Sequence, residues 1–84
     1  MNSKQLGVEV AARLRAERAR ADMTLRTAGE RAGIHYVSIS RYEGGKLPTL
    51  EALYLLAEVY GVEPGVLLPP MATVADLPKR KGKK

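Results

Sequence analysis

Cysteine is absent from this chain of 84 residues, which excludes disulfides, thiolate zinc sites and cysteine nucleophiles. Aromatic residues are almost absent as well. Tyr36, Tyr42, Tyr54 and Tyr60 are the whole set, so the core has to be aliphatic. No run approaches the roughly 18 apolar residues that a membrane span requires. The opening MNSKQLGVEV lacks the charged-then-apolar pattern of a signal peptide, and a cytoplasmic protein is expected. One histidine, His35, and scattered carboxylates supply neither a nucleophile with its base nor a cluster of metal ligands. No glycine fingerprint for phosphate or dinucleotide is present. The expectation is a protein that is not an enzyme and uses no cofactor or metal.

What is present is charge, unevenly placed. Residues 13–46 carry eight basic side chains against four acidic ones, while residues 47–78 carry Glu51, Glu58, Glu63 and Asp76 and no basic residue. Lys79, Arg80, Lys81, Lys83 and Lys84 close the chain, and the net charge is +5. A basic front, an acidic back and a basic end suit a polyanion docking on one side; a solvated surface with no partner is the other reading of charge alone.

The length allows one small domain. Val10, Leu14, Arg18 and Ala21 recur at steps of three and four, which predicts a first helix over about 8–21. Arg18 stands where an apolar residue is expected and needs a partner, because an unpaired buried charge is costly. Thr24 is a good N-cap for a second helix, about 25–32, with Met23 and Ala28 placed as a hydrophobic staple. Gly33 ends that helix. Gly29 lies inside it, where glycine costs roughly 0.5–1 kcal/mol relative to alanine; it is read as a place where two helices cross closely, with drift at a tolerant site as the alternative. A third helix covers 36–43, with Ile34, Ile39 and Tyr42 inward. Thr49 caps a fourth over 50–60, whose apolar face is Leu50, Leu53, Leu56, Ala57 and Tyr60. Pro64 opens a short fifth helix ending near Leu68, and Pro69-Pro70 stops it. The domain is expected over 1–69, with a flexible basic tail over 70–84.

Residues 24–43, TLRTAGERAGIHYVSISRYE, thus read as two short helices joined at a glycine turn. That unit is the scaffold which lays its second helix in the major groove of DNA. With Leu14, Arg18, Met23-Thr24, Glu30, Ala32-Gly33-Ile34, Ile39-Ser40-Arg41-Tyr42-Glu43, Gly45-Lys46, Pro48-Thr49-Leu50-Glu51, Leu53, Leu56-Ala57 and Gly61-Val62, the stretch from Val10 to Leu68 resembles the phage repressor and Cro-like helix-turn-helix family, also called the Xre family. The resemblance implies an all-α, compact five-helix fold of the lambda-repressor type. It also implies sequence-specific binding of a near-palindromic operator by a homodimer.

The resemblance assigns roles. It pairs Arg18 with Glu43 beneath the third helix as a structural ion pair, and it maps base reading to His35, Tyr36, Val37, Ser40 and Arg41. Arg41 suits the O6/N7 edge of guanine, and Tyr36 and Val37 offer apolar surface to a thymine methyl. Tyr36 has a phosphate as its alternative partner, His35 a capping role and Val37 a place in the core. Thr24, Arg26, Ser38, Tyr42 and Lys46 surround the third helix and are expected on phosphates, which positions without specifying. Relatives often carry glutamine at position 25; Leu25 cannot bond in that way and is read as core, filling beside the small Ala28. Arg13, Arg15 and Arg20 are read as a solvated face. The lysine-rich end, 79–84, is read as an arm onto DNA, with an inert tail as its alternative.

The function expected is a transcription regulator, most simply a dimeric repressor, with Val62, Val66 and Leu67 on the dimer surface. The alternative is a protein-interaction module on the same fold, such as the antitoxin half of a toxin–antitoxin pair. No sensory domain or small-molecule site is evident.

Overall fold

The computed structural model describes residues 1–71; the basic end 79–84 lies outside the described residues. Four α-helices and one 3-10 helix follow in order: α1 Ser3–Arg20, α2 Leu25–Ala32, α3 Tyr36–Glu43, α4 Leu50–Tyr60, and the 3-10 helix Pro64–Leu67. Among the described residues there is no strand, and no helix is long and apolar enough to cross a membrane. The expected count of five α-helices is corrected to four. The last element is a single 3-10 turn, cut short because Leu68, at ψ 141°, is already extended.

Each α-helix begins on a side-chain cap. Thr24 and Thr49 accept the amides of Thr27 and Ala52, both at 3.0 Å. The first helix starts five residues before its apolar pattern does. Asn2 and Gln5 form a reciprocal capping box, with Asn2 Oδ1 accepting from the Gln5 amide at 2.8 Å and Gln5 Oε1 from the Asn2 amide at 2.7 Å. These polar residues carry the helix outward from the core, where periodicity gives no sign of it.

The core gathers Val10 and Leu14 of α1, Ala28 and Ala32 of α2, Ile39 of α3, Leu53, Leu56, Ala57 and Tyr60 of α4, and Leu67. Leu25 packs against it from the first turn of α2. Two expectations change here. Leu67 is fully buried, so it belongs to the core and not to an outer surface. Leu50 is 72% exposed, because it begins α4 ahead of the turns that pack. α3 rests on α1 and α2, while α4 packs on α2 and the 3-10 helix. The third helix is eight residues long, too short to hold in isolation, so its orientation depends on those neighbours.

Candidate functional site

α2, the turn Gly33-Ile34-His35 and α3 form one rigid unit. Gly33 takes a left-handed conformation at φ 72°, and the Ile34 amide returns to the Gly29 carbonyl at 3.0 Å. Gly29 is buried against this turn. A methyl group there would stand 2.6 Å from the Ile34 carbonyl oxygen and 3.2 Å from the Tyr36 amide nitrogen. The glycine therefore admits the backbone that starts α3, not a second helix crossing at its middle.

The inner side of α3 is held by two arginines of α1. Arg18 Nε donates to Glu43 Oε2 at 2.7 Å and its Nη2 to Oε1 at 2.9 Å, while Nη1 donates to the Met23 carbonyl at 2.9 Å. The planar fork meets a carboxylate whose side chain is only 7% exposed. Glu43 in turn raises the Arg18 pKa above its ordinary value, so the guanidinium stays charged. Arg15 Nη1 donates to the Glu43 backbone carbonyl at 2.5 Å. Arg15 is thus not a free surface charge, as spacing suggested; it caps the end of α3. Arg13 and Arg20 pair within α1, with Glu9 and Glu17. Tyr60 lies close enough for both Arg18 and Glu43 to act on it. Its buried hydroxyl has no hydrogen-bond partner among the described residues. Burial first, and then the Glu43 charge, push its pKa up to about 12, with Arg18 opposing.

The outer side of α3 carries His35, Val37, Ser40 and Arg41, all exposed, with Tyr36 and Ser38 half-buried. His35 is the N-cap: its Nδ1 accepts the Val37 amide at 3.1 Å. Its ring stacks on Tyr36 with centroids 5.0 Å apart and planes 20° apart. The guanidinium carbon of Arg26 lies 4.2 Å from the Tyr36 ring centroid, and Arg26 Nη2 donates to the Tyr36 hydroxyl at 3.1 Å. Val37 faces solvent and not the core. Lys46 is exposed just past α3, its amide bonded to the Arg41 carbonyl at 3.1 Å. The Thr24 hydroxyl is engaged at the start of α2, where it also donates to Thr27 Oγ1 at 3.0 Å. Tyr42 is half-buried and packs on the core.

The arrangement presents donors and one flat aromatic surface from a short, braced helix, with Arg26, Arg41 and Lys46 exposed around it. Among the described residues no three His, Cys, Asp or Glu side chains converge to hold a metal ion. The links that sequence spacing missed are Arg15 to Glu43 and Arg26 to Tyr36; the His35 bond to the Val37 amide is the capping role held as the alternative for that residue. That role left a local signal, since residue 35 occupies the position just before a helix, whereas the other two join different elements. A family model described as a helix-turn-helix domain matches residues 9–71, which takes in the whole of α2, α3 and α4. Searches of the curated proteins and of the solved structures found no match.

Proposed function

The chain belongs to the helix-turn-helix domain family, and from that premise we propose that it is a sequence-specific, double-stranded-DNA-binding transcription regulator of the Xre, Cro-like kind. It acts as a homodimeric repressor that inserts α3 into the major groove. One observation carries this reading. α3 is clamped from behind by Arg15 and Arg18 while His35, Tyr36, Val37, Ser40 and Arg41 remain on the opposite, outward side. A helix held in this manner can enter a groove without paying to order itself at the moment of binding.

Arg41 is the charged donor for guanine, with Ser40 beside it; Val37 and the Tyr36 ring meet thymine methyls. Ser38, Tyr42, Lys46 and the amide end of α2 at Thr24 address phosphates and set the register. The dimer contact lies on α4 and the 3-10 helix, away from α3. Tyr54 is 58% exposed there, Val66 44%, and Tyr54, Leu55, Val62 and Pro64 line an open groove of about 470 Å³. A dimer of this kind sets its recognition helices about 34 Å apart, one turn of DNA.

Selection of duplexes from a random pool by the full chain tests the reading. A regulator enriches two inverted half-sites about one turn apart. A pool that stays random overturns the proposal in favour of a protein-interaction module on this fold.

A further inference from the structure

Arg26 sits in the first turn of α2, where a phosphate contact is the simple expectation, yet its guanidinium is spent on Tyr36. It lies over the ring at 4.2 Å from the centroid and donates to the hydroxyl at 3.1 Å. The other neighbour of the ring is His35, stacked at 5.0 Å and itself fixed by the Val37 amide. The seat for this group is Gly29. The space where its Cβ would stand is taken by the Ile34 carbonyl and the Tyr36 backbone, which brings residue 36 against α2 and within reach of Arg26.

The chemistry follows from the donor inventory. A guanidinium only donates, so the phenolic oxygen is the acceptor in the Arg26 bond. The phenol keeps its own proton for another partner, and among the described residues no acceptor takes it. Resting on the DNA-binding reading above, we infer that Arg26 is a positioning residue for base selection. It holds Tyr36 so that the hydroxyl donates to a major-groove acceptor, purine N7 or thymine O4, at one position of each half-site. Cytosine is disfavoured there, because its major-groove edge offers the N4 donor.

The test uses the full chain as wild type, Arg26→Ala, Tyr36→Phe and the double variant, each selecting from the same random duplex pool. Affinities for the selected site, and for the site with cytosine placed at each position in turn, are then measured at two salt concentrations. Arg26 is exposed and Tyr36→Phe keeps the ring, and thermal melts verify that each variant is folded. The wild type is expected to reject cytosine at one position by roughly tenfold. Both single variants shrink that rejection to about twofold at the same position, the double variant loses nothing more, and the other positions keep their preferences. Arg26→Ala weakening all duplexes alike, with the salt slope reduced by about 0.9, makes Arg26 a phosphate contact and overturns the inference. So does a Tyr36→Phe variant that keeps full discrimination. A wild-type chain that selects no motif fails the DNA-binding reading itself, whereas a wild-type motif that both variants preserve fails only this inference.

Discussion

Gly7 of α1 lies flush against Gly45 in the loop after α3. A methyl group at position 7 would overlap the Gly45 carbonyl oxygen and stand 3.1 Å from its carbonyl carbon. Two backbone segments, 38 positions apart in the chain, meet with no side chain between them. The contact sets how closely the first helix approaches the end of the third, next to the place where Arg15 and Arg18 hold Glu43.

Gly7→Ala is therefore expected to destabilise the fold. Helix propensity favours alanine by about 1 kcal/mol, but a clash with backbone cannot be relieved by a rotamer change, which puts the overpacking cost in the upper part of its usual range, about 2–3 kcal/mol. A net loss of roughly 1–2 kcal/mol follows. Denaturant titration measures it; an unchanged or raised midpoint would falsify the close approach.

Glu43→Ala leaves Arg18 without its partner; with the Arg18 side chain 24% exposed, the cost should be about 2–3 kcal/mol, below the roughly 3–5 kcal/mol for orphaning a fully buried charge. Arg18→Lys should be intermediate, since a single ammonium cannot reproduce the fork. Melting curves of the variants decide the point, and a loss below about 1 kcal/mol for Glu43→Ala rejects the clamp.

Alkaline pH acts through Tyr60. Its pKa is about 12 in the folded chain against about 10 in the unfolded one. Between those values the unfolded chain releases the proton and the folded chain keeps it. The stabilisation is complete below pH 10 and is lost as pH rises through 12. Stability measured against pH should fall across that window, and Tyr60→Phe should flatten the fall. At neutral pH the same variant should be close to neutral, because the hydroxyl it removes has no hydrogen-bond partner among the described residues. A wild-type curve as flat as the variant's contradicts the assignment.

On DNA, Arg41→Ala and Lys46→Ala should differ in kind. Loss of Arg41 is expected to cost about 1–3 kcal/mol and to relax preference at one base position. Loss of Lys46 should weaken all sequences alike and reduce the salt slope by about 0.9. Titrations of matched and mismatched duplexes at several salt concentrations separate the two patterns; identical patterns would remove Arg41 from base reading.

Removing residues 79–84 should also lower the salt slope, by up to five counterions' worth if every one of the five basic residues there meets a phosphate. A slope that does not move makes this segment a bystander to binding.

What could be read in advance was whatever acts over four residues or fewer. The bounds of α2, α3 and α4 follow from Thr24, Gly33, His35, Thr49 and Gly61, because a cap satisfies the amides and carbonyls of its own turn and needs nothing distant. The capping box at Asn2 and Gln5 is equally local. Apolar spacing carries no trace of it, because these residues are polar.

The residues alone determined a helical chain with a two-helix unit at its centre, a largely aliphatic core and a basic front, since propensity, capping and charge are carried by the chain itself. Folding decided the rest. It sent Arg15 to the Glu43 carbonyl, laid Arg26 on Tyr36, sealed Leu67 and left Leu50 in the open. Each of these depends on a surface supplied by another helix or turn, and no spacing within one element records which side chain a neighbouring element will bring to it.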